Sequence, residues 1–186
     1  MKLESKPAEY LAKMRGSHAG SPPRVPVEEV FWSWFGALVG IGAVAWLGAH
    51  WFAGHDLPLM IGSFGASAVL LYGAPRSPLA QPRNLVGGHM LSAAVGVLSW
   101  KLLHGAPGID AAVAVATAVA VMHLTRTLHP PGGATALIAV TGSRQIHDLG
   151  FLYVLVPATV GPLILLVVAL AVNNLPRSRR YPENWL

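Results

Sequence analysis

His129-Pro130-Pro131-Gly132-Gly133-Ala134-Thr135-Ala136 sits where hydropathy puts the middle of a membrane segment. Two adjacent prolines remove two backbone N–H donors, and their rings obstruct a helix arriving from Val121 through Leu128, so that helix is expected to stop here. Gly132, Gly133 and Ala134 then carry almost no side chain. A new helix starting among them would turn bare N–H groups toward whatever lies in the gap. Lipid offers no hydrogen bonds, so irregular backbone at this depth is tolerated only when buried in protein or lining a wet cavity. The break is therefore a candidate site.

The chain around it reads as a membrane protein. Of 186 residues, 53% are hydrophobic and 11% charged, against about 25% charged in soluble domains. The net charge of +5 comes from 13 Lys and Arg gathered at segment ends and in the tails, without the basic face or aromatic-basic motif that nucleic-acid binding needs. Cysteine is absent, which removes disulfides, thiolate metal sites and Cys nucleophiles. The first thirty residues are polar, contrary to a cleaved secretory signal, so insertion is expected to start at the first membrane helix.

Residues 1–30 read as a cytoplasmic tail in which Ala8 to Arg15 could form a surface helix carrying Tyr10, Leu11 and Met14. Phe31 to Phe52 is a clear span, with Trp32, Trp34, Trp46 and Trp51 toward its ends as anchors and Gly36, Gly40 and Gly48 as a packing stripe. After a tight connection at His55-Asp56, Pro58 opens Leu59 to Tyr72. At about 1.5 Å per residue this segment reaches about 21 Å, short of a hydrocarbon core of about 30 Å. A loop with Arg76 and Arg83 precedes an apolar helix from Leu85 to Leu103, and a short loop at Gly105 to Gly108 precedes Asp110 to Leu128, capped by Asp110. Thr135 to Val140 is again too short to cross alone. Gly150 to Val172, kinked at Pro157 and Pro162, is the last span, and 174–186 is a basic tail.

Gly65-Ala66-Ser67-Ala68-Val69-Leu70 and Gly133-Ala134-Thr135-Ala136-Leu137-Ile138 share one small-small-hydroxyl-small order, each in a short segment between longer ones. Paired short or interrupted segments mark transporter repeats. The expected fold is all-α, with about six membrane segments over 31–173. Two of them are half-helices, arranged as two three-segment and inverted repeats. With six crossings and a cytoplasmic N-terminus, all of the 13 basic residues except Lys101 and Arg144 face the cytoplasm, as the positive-inside rule requires. Re-entrant short segments would give four crossings and move the Arg76 to Arg83 loop.

Two half-helix starts facing each other select an anion. Their free N–H groups and macrodipoles are positive, and Ser63, Ser67 and Thr135 add hydroxyl donors. Every Asp and Glu lies in a tail, loop or segment end, whereas a cation path would place a carboxylate deep in the membrane. His89, His123 and His129 fall in or beside membrane segments, either as neutral histidines bonded to a neighbouring helix or as proton carriers. Arg83 and Arg126 could draw anions to the cytoplasmic mouth by their field, or either could be an interfacial anchor; the anchor reading is favoured for Arg126. His123 and His129 lack metal-site spacing and acidic neighbours, and no catalytic motif is present, so neither metal, cofactor nor enzyme is expected.

The block from His129 to Leu137 resembles the signature of the HPP family of integral membrane proteins. Phe64 to Leu71 and Ser77 to His89 are similar to its other recurrent blocks, and the likeness runs from about Pro22 to Asn173. The resemblance implies four or more spanning helices and a role in transport, since plant chloroplast and cyanobacterial relatives are implicated in nitrite movement. It also implies that the nucleotide-sensing CBS pair of some relatives is absent here. The combined expectation is a transporter or channel for a small monovalent anion, nitrite foremost. The anion is expected at Ser63, Gly65, Ala66, Ser67, His129, Pro130, Pro131, Gly132, Gly133, Ala134 and Thr135, with Arg83, Asn84, His89 and His123 along the pathway. The rivals are a channel for a neutral weak acid or small neutral solute, and a non-transporting scaffold. A homo-oligomer in the plasma (inner) membrane with both termini cytoplasmic completes the expectation.

Overall fold

The structure, a computed structural model, describes residues 6–14, 23–52, 58–103, 105 and 108–186. The expected connection at His55-Asp56, most of the short loop before Asp110, and the tail basics Lys2 and Arg15 lie outside the described residues. Among those described, all regular structure is helical. Helix α1 is Lys6–Lys13, with Tyr10, Leu11 and Met14 exposed around its end. Helix α2 is Val27–Phe52, its last turn π-wound; α3 is Ser63–Gly73, again ending in a π turn. A 3₁₀ turn at Pro78–Ala80 leads to α4, Pro82–Leu103. Then follow α5 (Ile109–Leu124), α6 (Pro130–Thr141), α7 (Arg144–Leu149), α8 (Leu152–Leu155) and α9 (Val160–Val172).

Three stretches are long and apolar enough to cross a membrane: Val27–Phe52, Pro82–Leu103 and Leu152–Val172. Ser63–Gly73 and Ile109–Leu124 are shorter apolar helices. The third stretch is broken rather than merely kinked. Residues 156–159 form turns around Pro157, while Pro162 fits the first turn of α9, where a missing N–H costs little.

Three boundaries depart from expectation. Helix α5 stops at Leu124, well before the prolines, because Arg126 takes a left-handed φ of 57° and the Thr127 N–H turns back to the Met122 oxygen. The prolines then open α6 as its first two residues, after extended His129. Asp110 is not the cap of α5. That place belongs to Gly108 at φ 84°, which a β-carbon would strain, and Asp110 Oδ1 instead accepts from the Ala111 N–H inside the first turn. Pro58 lies outside regular structure ahead of α3 rather than in its first turn.

Glycines set the packing. Tyr72 of α3 lies against α2 where Gly36 and Gly40 leave room, and its hydroxyl donates to the Leu165 oxygen of α9. Phe64 fills the space beside Gly161, so α3 and α9 run the same way, 64 beside 161 and 72 beside 165. On α4, a β-carbon at Gly88 would sit 2.6 Å from His129 Cβ, and one at Gly96 would sit 2.6 Å from the Ala136 oxygen. That order, 88 with 129 and 96 with 136, makes α4 and α6 parallel neighbours in backbone contact. A layer of Val44, Phe64, Leu71, Tyr72, Leu85 and Tyr153, all fully buried, joins α2, α3, α4 and the approach to α9. The C-terminal segment, expected as a basic tail, is docked. Arg179 bonds Glu29, Asn173 and the Tyr72 oxygen, and the Tyr181 hydroxyl donates to the Ala80 oxygen.

Candidate functional site

Parallel α4 and α6, with α3 crossing beside them, bring five polar side chains into the interior. Ser63 and Ser67 come from α3, one helical turn apart on one face; His89 comes from α4; His129 and Thr135 come from the start and second turn of α6. Ser67, His89, His129 and Thr135 are 0% exposed and Ser63 1%. Ser67 Oγ lies 2.7 Å from His89 Nε2 and 2.9 Å from His129 Nε2. His89 Nδ1 lies 2.6 Å from Thr135 Oγ1, which is 2.9 Å from Ser63 Oγ and 3.3 Å from the Pro131 oxygen. His129 Nδ1 meets the Leu79 carbonyl at 2.8 Å. His89 thus uses one ring nitrogen on Ser67 and the other on Thr135, the two hydroxyls that occupy equivalent places in the repeated sequence block.

The pairings fix how the two short helices meet. Ser63, at the start of α3, touches Thr135 in the second turn of α6; Ser67, in the second turn of α3, touches His129 just ahead of α6. The helices pass side by side in opposite directions, so their starts do not face each other as expected. Nor does α6 begin with bare amides: Pro130 and Pro131 have no N–H, and the Gly132 N–H already donates to the His129 oxygen at 2.8 Å. At α3, the Phe64 and Gly65 N–H groups are likewise taken by Ile61 and Gly62. What this interior can offer a ligand comes from side chains.

Other expected residues fall away from the network. Gly65 and Ala66 are exposed on the outer face of α3, and no atom lies within 4 Å of where a Gly65 β-carbon would stand. His123 is exposed on α5. Arg83 and Asn84 close the end of α5, donating to the Thr125 and Leu128 oxygens at 2.8 Å each. Gly132 and Gly133 are buried and Ala134 is half-buried along the α6 seam. Gly132 is where α4, α5 and α6 converge: a β-carbon there would come within 2.8 Å of the Gly88 oxygen and of Ser92 Oγ, and 2.9 Å from Met122 Sδ.

Four participants were missed. The Leu79 carbonyl is backbone and carries no residue-type signal. Phe64 stands edge-on to His89, ring centres 5.5 Å apart. Tyr153 donates to the Thr135 oxygen at 3.0 Å, and nothing in its apolar surroundings flags it. Ser92, fully buried, has no hydrogen-bond partner among the described residues; its signal was a hydroxyl one turn beyond His89. Among the described residues no group of three or more His, Asp or Glu is placed to hold a metal. The buried polar side chains include no carboxylate. The chemistry on hand is hydrogen bonding and proton exchange between imidazoles and hydroxyls.

Similarity to known proteins agrees with this picture of a membrane bundle. Residues 22–182 match the transmembrane region of the HPP family. Two transmembrane proteins of Dictyostelium discoideum are similar: one is 44% identical over 180 residues, 95% of this chain and 57% of the relative. The other is 42% identical over 181 residues, 95% of this chain and 63% of the relative. The chain thus spans about six-tenths of the length of these relatives. No solved structure matches it.

Proposed function

Since the chain belongs to the HPP transmembrane family, we propose that this integral membrane protein transports a small monovalent anion, nitrite foremost, and that the anion is handled at the Ser67–His89–His129–Thr135 network. The observation that carries the reading is the network itself: two imidazoles and three hydroxyls bonded side chain to side chain at full burial, without a carboxylate. A bundle held by packing alone gains nothing from such a cluster, because desolvating polar groups is costly unless each finds a partner. Ionisable side chains at membrane depth are functional by default. Hydroxyls and imidazoles can each turn a proton toward an anion, whereas a cation would need acidic or carbonyl oxygens. Orphaned Ser92 Oγ beside Gly132 is a further donor on the same seam.

The helix directions support two three-segment repeats of inverted sense: α2, α3 and α4 in one, and α5, α6 and the segment ending in α9 in the other. The short helices α3 and α6 are the antiparallel pair on the internal axis. In this reading both termini are cytoplasmic, the protein sits in the plasma (inner) membrane, and copies associate through glycine-lined helices. A second reading, passage of an undissociated weak acid, is favoured by one observation: none of the network's hydrogen-bond partners is a Lys or Arg.

Uptake of nitrite and nitrate into proteoliposomes tests the proposal. Wild type is expected to exceed protein-free vesicles, with Thr135→Val and His129→Ala each slowing uptake at least tenfold. Uptake equal to protein-free vesicles for every small anion leaves a scaffold. Flux that follows the undissociated acid, ignores membrane potential and is unchanged in His129→Ala selects the neutral route.

A further inference from the structure

A carbonyl oxygen only accepts, so the Leu79 contact puts the proton of a neutral His129 on Nδ1 and leaves Nε2 bare. Ser67 must give its one proton to that Nε2, and can then only accept from His89 Nε2–H. A neutral His89 therefore presents a bare Nδ1, which takes the proton of Thr135. Thr135 Oγ1 is also the donor toward Ser63 Oγ and the Pro131 oxygen when its proton is not on His89. One carbonyl thus sets both tautomers and aligns the donors in a single sense, from Thr135 to Leu79.

We propose that this row is a proton relay that loads His129 from the Thr135 end, so that each anion travels with one proton. The coupling rests on the anion reading of the site. A proton arriving on Thr135 Oγ1 releases the one it already holds. The Thr135 proton passes to His89 Nδ1, the His89 Nε2 proton to Ser67, and the Ser67 proton to His129 Nε2. Each O–H or N–H bond that breaks is matched by one formed at the next atom, and the net product is one imidazolium at His129. Every donor then points the other way, and the reversed row is still satisfied, because Thr135 can donate to Ser63 or to the Pro131 oxygen.

The Leu79 carbonyl cannot pass a proton onward, so the row is blind at that end: it loads and unloads but does not leak. The groups around the two imidazoles supply no compensating charge. From α3 come Ser63, Ser67 and Phe64; from α5, Met122; from the 3₁₀ turn, the Leu79 carbonyl. The titratable neighbours are the other imidazole, ring centres 5.1 Å apart, and Tyr153, whose phenol is bonded to the Thr135 oxygen. An imidazolium at His129 therefore lacks a counter-charge until an anion arrives, and this couples the two.

Two measurements test the relay. Nitrogen-15 solid-state spectra of histidine-labelled protein in bilayers at neutral pH, assigned by difference with His89→Gln and His129→Asn, should show His89 protonated at Nε2 and His129 at Nδ1. Any other pair of tautomers overturns the relay whatever the protein carries. In proteoliposomes with a trapped pH dye, nitrite uptake above the protein-free baseline should acidify the interior by one proton per anion, and a pH gradient alone should move none. His89→Gln can bridge Ser67 and Thr135 but cannot shift a proton through a ring, and should cut coupled acidification at least tenfold. Uptake without acidification, or a proton leak without anion, sinks the relay and leaves the anion reading standing. No uptake of nitrite or nitrate sinks the anion reading and the coupling with it.

Discussion

Ser67 has one proton and two imidazoles to serve, and its oxygen bridges them. Ser67→Ala would leave His129 Nε2 without a donor and His89 Nε2–H without an acceptor at complete burial. Each orphaned group costs about 1–3 kcal/mol, so the unfolding temperature in detergent is expected to fall by several degrees and transport to be lost. Ser67→Thr, which keeps the hydroxyl, should recover most of the stability. A stability unchanged by Ser67→Ala would mean that the two rings are not held as described. The polar members of this cluster were legible in the sequence because hydroxyls and histidines stand out in apolar helices next to glycine or proline. Their pairing was not, since Ser67 and His129 are 62 positions apart and Ser63 and Thr135 are 72. The Leu79 carbonyl has no signature at all, yet it determines which ring nitrogens carry protons.

At the scale of elements, the break at His129–Ala136 lies where the sequence puts it but has a different cause. The prolines do not stop α5. Instead a left-handed Arg126 ends that helix early, and the prolines initiate the next one, which removes the bare amides the anion was to meet. Local sequence gives proline a boundary but not a side of the boundary. Glycine carries a similar ambiguity. Gly65 and Gly96 look alike in the sequence, but a β-carbon at Gly96 would press on the backbone of Ala136 at 2.6 Å, while Gly65 has nothing within 4 Å. Gly96→Ala is therefore expected to destabilise by about 1–3 kcal/mol through overpacking of the α4–α6 seam. Gly65→Ala should be neutral or stabilising by about 0.5–1 kcal/mol, as for any exposed helical glycine. Thermal unfolding of the two variants in the same detergent checks the contrast. Equal effects would remove the case for backbone contact between the two helices.

Across the whole molecule, the docked C-terminus ties the face on which the chain enters α2 to the face on which it leaves α9. The side chains of Arg179 and Glu29, 2% and 29% exposed, form an ion pair at 2.8 Å. The same guanidinium reaches the Tyr72 oxygen at the end of α3. Arg76 donates to the Ser178 oxygen at 2.7 Å, which puts the Arg76–Arg83 loop on this same face, whereas Ser143 and Arg144 lie past the far end of α6. That arrangement brings the chain back along α3 to the face on which α2 begins, and in the six-crossing proposal α3 makes this return across the membrane; a re-entrant α3 would strand Arg76 on the opposite side. Because the chain has no cysteine, single substitutions can read the question without background. Arg76→Cys, Ser143→Cys and Arg180→Cys each replace an exposed residue. With an impermeant maleimide added outside intact cells, Ser143→Cys is expected to label at once, and Arg76→Cys and Arg180→Cys only after permeabilisation. Labelling of Arg76→Cys from outside would reduce the crossings to four, make the halves parallel, and overturn the proposal of inverted repeats.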